Sequence, residues 1–579
     1  MGRCLRVFVI VCTTILGLLA PMGFAQAASH DDIPFKESPP RWTSAERALY
    51  ARITGDQGDW APQGTPVIDT SFVPAVDGFS FINYSESFRL NQLFYEQPRP
   101  LPRSGKAATP RKIGPRDMRL VFGDRVCVNP GPVSDAALTC ELTESAATVL
   151  QLANRWSEIG HCSAMTTAAA GLFNGWVDPV TMGAAPITAQ TNLNPRIQRA
   201  FGRLMLAAHF ASFGFRQQSM ADFIAALGDA LTPGRIQYSL IMEGDPGGHA
   251  VLPLGVLDQG NGRFDIAIYD PNVPSKLRAI HVDTATNSWS YEGTTIPGAE
   301  RLLWSSQDPD NPGKLYLAII DTLFGEQPCV FCPDDGRQNP RETRTFLTFS
   351  PVLRANAAIF NSITLTDLAG QPLDPSLYQI VPPLDSALSD YVSGPSIYVD
   401  VDVSFVIRLT GKGVRVEEPF KISAVRPGET RTVKISALTK DLQTTVELDV
   451  SAAKTKITGT PIKSVVATQT LETDKASYRF TATQRVRDGR GTLALQLLKP
   501  SFYAVIDGRV GQSAPFDIAL RSIAQSKARY RANRVVIPRK AQLLVDYRDW
   551  QGQKGRPHLW LDIESDGVPD REITLTRVT

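Results

Sequence analysis

The residue of this sequence with the clearest chemical potential is Cys162, which emerges from a count. The chain of 579 residues carries seven cysteines. Cys4 and Cys12 fall within an N-terminal stretch that reads as an export signal, leaving five. Cysteines outside the cytoplasm are expected in pairs, and an odd one needs an explanation. Cys127 and Cys140 are placed to close a short loop, and Cys329 and Cys332 form a Cys-Val-Phe-Cys unit placed to pair. Cys162 is left over, either as a buried bystander or as a reactive thiol. It follows Gly160, where a turn ends and a helical pattern begins. The reactive form of a thiol is the thiolate. The exposed N–H groups and partial positive charge of a helix N-terminus favour it.

A thiol nucleophile needs a base, oriented by a carboxylate or amide. His161 is adjacent in sequence, and neighbours on a helix do not face each other. His209 lies in an apolar helical stretch, His281 opens a later strand and His558 is far away in the tail. His249 follows Gly247-Gly248 and leads into an apolar strand. Gln259-Gly260-Asn261-Gly262 reads as a hairpin turn, with the return strand ending at Tyr269-Asp270-Pro271-Asn272. With the turn centred near Gly260 and Asn261, His249 pairs close to Asp270–Asn272. Cross-strand partners share a face, so Asp270, or Asn272 one pleat further on, comes within reach of the ring. Pro271 ends the strand because proline cannot continue the ladder.

The elements around these residues define the organisation. Arg3 and Arg6, the uncharged run Val7–Ala20 and Ala25-Gln26-Ala27 predict a signal peptide over 1–27, cut after Ala27. The run is short for a membrane span, and no second apolar stretch follows, so a secreted, periplasmic or cell-surface protein without a membrane span is expected. Residues 28–115 read as an irregular lead-in, with a short helix around 44–53 and a Pro- and Arg-rich linker from Pro98 to Pro115. Residues 116–333 open with helices, including one capped by Thr143, and continue as antiparallel strands over 236–242, 250–257 and 263–269. Helices first and strands afterwards is an α+β pattern. Past 334 short alternating stretches punctuated by Gly411, Gly428, Gly459 and Gly489 predict β-sandwich modules over 334–458 and 459–579.

The Cys at a helix start, Gly247-Gly248-His249-Ala250-Val251 on one strand and Tyr269-Asp270-Pro271-Asn272 ending the next resemble the papain-like cysteine peptidase superfamily, closest to the double-glycine leader peptidase type. The resemblance covers about a quarter of the chain. It implies a papain-like domain with Cys162 as nucleophile, His249 as base and Asp270 as orienting group. Papain-like enzymes carry a Gln a few residues before the Cys that helps bind the oxyanion. Here Trp156 has that spacing, and Asn154, Ser157 or backbone N–H groups stand in as alternatives. Asp77-Gly78-Phe79-Ser80-Phe81, Phe122-Gly123-Asp124-Arg125-Val126-Cys127, Cys140-Glu141-Leu142-Thr143 and Gly160-His161-Cys162 together resemble a little-characterised group of exported bacterial proteins. The expected function is a thiol hydrolase acting on peptide or amide bonds. The alternatives are a transglutaminase-type acyl transferase and a non-catalytic surface or adhesion protein with a degenerate papain-like domain. The partner would be a peptide or protein substrate or a surface polymer.

The remaining motifs favour structural roles. Asp562, Glu564, Asp566 and Asp570 sit at positions 1, 3, 5 and 9 of a calcium-loop pattern with Gly567 at 6. Position 12 is Ile573, so the bidentate ligand is missing and a solvated acidic turn is the stronger reading. Calcium is the one candidate cofactor. Cys329–Cys332 lacks the second ligand pair of a zinc site. Lys and Arg number 60 against 58 Asp and Glu, which gives no reason to expect nucleic acid or an acidic membrane surface as partner. Expression in an exporting host followed by N-terminal sequencing is expected to give a chain starting at or near Ala28. A secreted chain that still starts at Met1 overturns the signal-peptide reading.

Overall fold

A computed structural model of the chain describes residues 60, 62–81, 83, 112–128, 140–156, 160–182, 187–190, 194–210, 219–244, 247–293, 302–308, 312–332, 344–381, 391–392, 394–460, 464–472, 476–485, 491–498, 503–507, 515–523, 527–538, 541–548, 550 and 555–578. The signal-peptide reading, the helix around 44–53 and nearly all of the linker lie outside them. The first half is mixed and the second all β. Five α-helices of eight or more residues are described: α1 (Pro115–Phe122), α2 (Glu144–Trp156), α3 (Cys162–Phe173), α4 (Pro195–Phe210) and α5 (Met220–Ala230). Thr143 caps α2 as its sequence predicts, its Oγ1 accepting from the Ala146 amide at 3.1 Å. Among the described residues no helix is long and apolar enough to cross a membrane.

Eight strands form the first sheet: β1 (Thr65–Asp69), β2 (Tyr238–Gly244), β3 (Gly247–Gly260), β4 (Arg263–Tyr269), β5 (Leu277–Asp283), β6 (Ser288–Gly293), β7 (Leu302–Ser305) and β8 (Lys314–Ile319). Their order is β8-β2-β3-β4-β5-β6-β7, with β1 also paired to β3. The ladders are antiparallel. β3 is longer than its sequence predicts, because Gly248 and His249 already pair with Glu243 and Met242 of β2. The β3–β4 loop is Asn261-Gly262, closed by Gly260↔Arg263. Asn261 (φ 56°) and Gly262 (φ 75°) both take the left-handed conformation that a tight two-residue hairpin demands. The register shifts once between Asp258 and Gly260 and once between Pro253 and Gly255, so Leu252 comes to face Tyr269.

The second half is one two-sheet stack. Hairpins Glu418–Arg426/Glu429–Leu438, Ser464–Glu472/Ser477–Arg485 and Phe516–Ile523/Lys527–Val535 lie side by side in a ten-stranded sheet. The intervening hairpins Gln443–Asp449/Lys454–Thr460, Gly491–Leu498/Tyr503–Asp507 and Gln542–Asp546/His558–Asp562 lie side by side in a nine-stranded sheet. Successive hairpins thus alternate between sheets. The inward residues form one core from Leu347 to Leu561. The boundary expected at 458/459 falls inside the strand Lys454–Thr460, which pairs on both sides, so the two expected modules are a single sandwich.

The halves are joined by aromatic packing and a buried charge cluster. Phe331, from the Cys329–Cys332 segment, packs on Phe122 (ring centroids 4.9 Å) and Phe210 (5.7 Å). Phe210 meets Phe346 of the sandwich at 5.2 Å, and Phe346 meets Tyr398 at 5.1 Å. At the N-terminus of α2, fully buried Glu144 lies 2.5 Å from Arg479 Nη2 and 2.9 Å from Arg521 Nε. The Ser145 amide donates to Glu472 Oε1 at 2.9 Å. Burial pushes the Glu472 carboxyl up to about 7; the Glu144 charge adds to this, and bonds from Ser477 and Ser145 oppose it.

This sets a pH dependence. Between about 4.5 and 7 the folded protein keeps the Glu472 proton that the unfolded chain has released, so stability falls as pH rises through that window. Glu472→Gln is expected to match wild type at pH 4.5 and to be more stable at pH 8 by roughly 2–3 kcal/mol. Urea unfolding at the two pH values checks this; a pH-independent difference contradicts it.

Candidate active site

Three elements bring Cys162, His249 and Asp270 together. Gly160, at φ 155°, turns the chain into α3, and Cys162 is the first residue of that helix. α3 is apolar and built largely of small residues, buried from Cys162 to Gly171, and packs against the first sheet. Its N-terminus therefore cannot drift from the strand that carries His249. Cys162 itself is 2% exposed and packs among Ile241, Ala250, Tyr316 and Ala318. Of the described cysteines it alone is free, since Cys127–Cys140 and Cys329–Cys332 are disulfides with Cα separations of 5.7 and 5.3 Å.

His249 and Asp270 meet across the β3–β4 hairpin. His249 Nε2 is 2.8 Å from Asp270 Oδ1. Asp270 is fully buried and receives two further donors: the Asn272 amide at 2.7 Å on Oδ1 and the Tyr291 hydroxyl at 2.5 Å on Oδ2. With Nε2 engaged by Asp270, the ring also interacts with the Cys162 thiol, which favours its protonated form. Burial would push the His249 ring down. The Asp270 charge and hydrogen bond, with a smaller contribution from Cys162, outweigh it and raise the ring to about 10. Burial likewise works against the Asp270 carboxylate, but His249, Tyr291 and the Asn272 amide hold it below the usual range. A buried imidazolium–carboxylate pair with a thiol on its free side can deliver and recover a proton beside that thiol.

The other sequence candidates lie elsewhere. Asn154 Nδ2 donates to the Ile113 carbonyl at 3.0 Å, tying α2 to the segment before α1. Asn272 follows the carboxylate and contributes its backbone amide to it. Ser157 is outside the described residues. His209 is half-buried on α4, and desolvation lowers it to about 3. In the acidic turn, Asp562 Oδ2 accepts from the Gly567 amide (2.9 Å) and from Gln542 Nε2 (2.7 Å), and Asp570 Oδ2 accepts from the Ile563 amide (2.6 Å). These carboxylates brace their own loop and do not converge. Among the described residues no group of three or more His, Cys, Asp or Glu side chains is placed to hold a metal ion.

Sequence reasoning missed two residues here. Tyr291 sits on β6, where the alternation Ser288-Trp289-Ser290-Tyr291 marks it as inward-facing but names no partner. Asn83, in the lead-in, accepts from the His161 amide through Oδ1 at 3.0 Å, and its own amide donates to the Pro271 carbonyl at 2.8 Å. Nothing in its sequence neighbourhood signals this. Comparison with family models, curated proteins and solved structures finds no match for the chain.

Asp270→Asn removes the charge that outweighs burial, so His249 should then titrate below its ordinary 6.5. In a histidine NMR titration the wild-type ring is expected to stay protonated from pH 5 to 8, and the Asp270→Asn ring to lose its proton within or below that range. A wild-type ring that titrates near 6.5 contradicts the pairing.

Proposed function

We propose that the chain is an exported thiol hydrolase of papain-like type, acting on peptide or amide bonds. The observation that carries this reading is the buried His249–Asp270 pair at 2.8 Å beside a free thiol at the first residue of a helix. Cys162 Sγ, its proton held by His249, attacks the carbonyl carbon, giving a tetrahedral oxyanion near the N–H groups of the first turn of α3. His249 delivers a proton to the leaving nitrogen, the C–N bond breaks, and a thioester to Cys162 remains. His249 then takes a proton from water as it attacks the thioester, the C–S bond breaks, the acid leaves, and the sulfur with the protonated ring restores the starting pair. Asp270 holds the ring in orientation throughout, with Tyr291 and the Asn272 amide fixing the carboxylate. An amine in place of water turns the same sequence into acyl transfer. The chemistry is complete with these side chains, and the sandwich is assigned to binding a surface, a polymer or a protein partner. Two disulfides fit an oxidising compartment.

One observation favours a second reading. Cys162 is only 2% exposed, as expected for a binding protein that keeps the shell of an enzyme. Iodoacetamide labelling of the native protein separates the two. Fast labelling of Cys162 that persists below pH 7, and that His249→Ala slows at least tenfold, is the expected result. Slow labelling with an ordinary thiol profile, unchanged by the mutation, selects the binding protein.

A further inference from the structure

In the proposed reaction a negative charge develops on the carbonyl oxygen, and side-chain donors that meet it are a large part of catalysis. Trp156 stands where a papain-like enzyme carries its Gln, and Asn154 is committed to the Ile113 carbonyl. Asn83 differs. It is 1% exposed, and its Nδ2 is buried with no hydrogen-bond partner among the described residues. An amide donor taken out of water without a partner forfeits its hydrogen bonds to solvent, so such groups are rare in folded proteins. The location is specific. Asn83 Oδ1 is fixed by the amide of His161, the residue just before the nucleophile. The Asn83 backbone is fixed to Pro271, the residue just after the orienting carboxylate. One residue thus bridges the two ends of the site, by its side chain to His161 and its backbone to Pro271.

We infer that Asn83 is the side-chain oxyanion donor of this site, its Nδ2–H₂ group receiving the charge on the substrate carbonyl oxygen while Oδ1 anchors the amide to the start of α3. This rests on the thiol-hydrolase reading. It gives the lead-in segment a catalytic part, because the donor comes from about eighty residues upstream of the nucleophile instead of from the preceding helix.

Two reagents test it on the full chain. p-Nitrophenyl acetate acylates a thiol through a tetrahedral oxyanion, and iodoacetamide alkylates it by displacement with no oxyanion. Asn83→Asp keeps an oxygen acceptor for the His161 amide and removes the donor; Asn83→Ala removes both. Both variants are expected to acylate Cys162 about 10²–10³-fold more slowly than wild type. In both variants the acylation rate should fall at least tenfold further than the iodoacetamide rate, because a change in thiolate fraction slows both reagents alike whereas the lost oxyanion partner slows acylation alone. Equal losses with both reagents, or no loss of acylation, overturn the role of Asn83 and leave the thiol reading standing. A wild-type protein that alkylates as an ordinary thiol and shows no acylation of Cys162 overturns both.

Discussion

An imidazole ring and a carboxylate, both taken out of water, are tolerable only as a pair with every remaining polar atom satisfied. The His249–Asp270 contact sets that constraint, and much of the first sheet is arranged to meet it. Asp270 collects a ring nitrogen, a backbone amide and a tyrosine hydroxyl from three stretches of chain. Tyr291 is brought to it only because β5 and β6 continue the sheet beyond β4. Pro271 ends β4 at the point where the chain must curl for Asn272 to donate back. Each of these features looks local, and each follows from the need to keep a charge stable in a dry place.

The same rule operates where the halves meet. Glu144 at the start of α2 is fully buried, and Arg479 and Arg521 from the sandwich supply its countercharge. α2, the helix that precedes α3, is therefore docked on the sandwich by charge. The row Phe122–Phe331–Phe210–Phe346–Tyr398 holds the interface by apolar contact. The site is built on one half, but an element next to it is anchored in the other.

Legibility in the sequence followed locality. Cys162 could be singled out by pairing arithmetic, and Thr143 by the chemistry of helix capping. The His249–Asp270 meeting was within reach of hairpin counting, though by a route not visible in the residues. The turn lies at Asn261-Gly262, later than counted, and two register shifts return the strands to a relation in which both side chains share a face. A single shift would have put them on opposite faces. The sandwich was misdivided because Gly459 was read as a turn, whereas it pairs with Thr444 and Gly491 inside a strand. Asn83 was invisible, since its role comes from contacts with residues 78 and 188 positions away.

The alternation of hairpins between the two sheets has a consequence for how such a molecule varies. Each added hairpin lies beside the previous one in its own sheet, so it extends the stack sideways by two strand spacings, about 9.6 Å. Hairpins added beyond the last one of the ten-stranded sheet, which carries Arg521, leave the contacts around Glu144 and Phe346 in place. The distance between the thiol and whatever the far edge holds is then adjustable in fixed increments, as on a ruler, with no retuning of the chemistry.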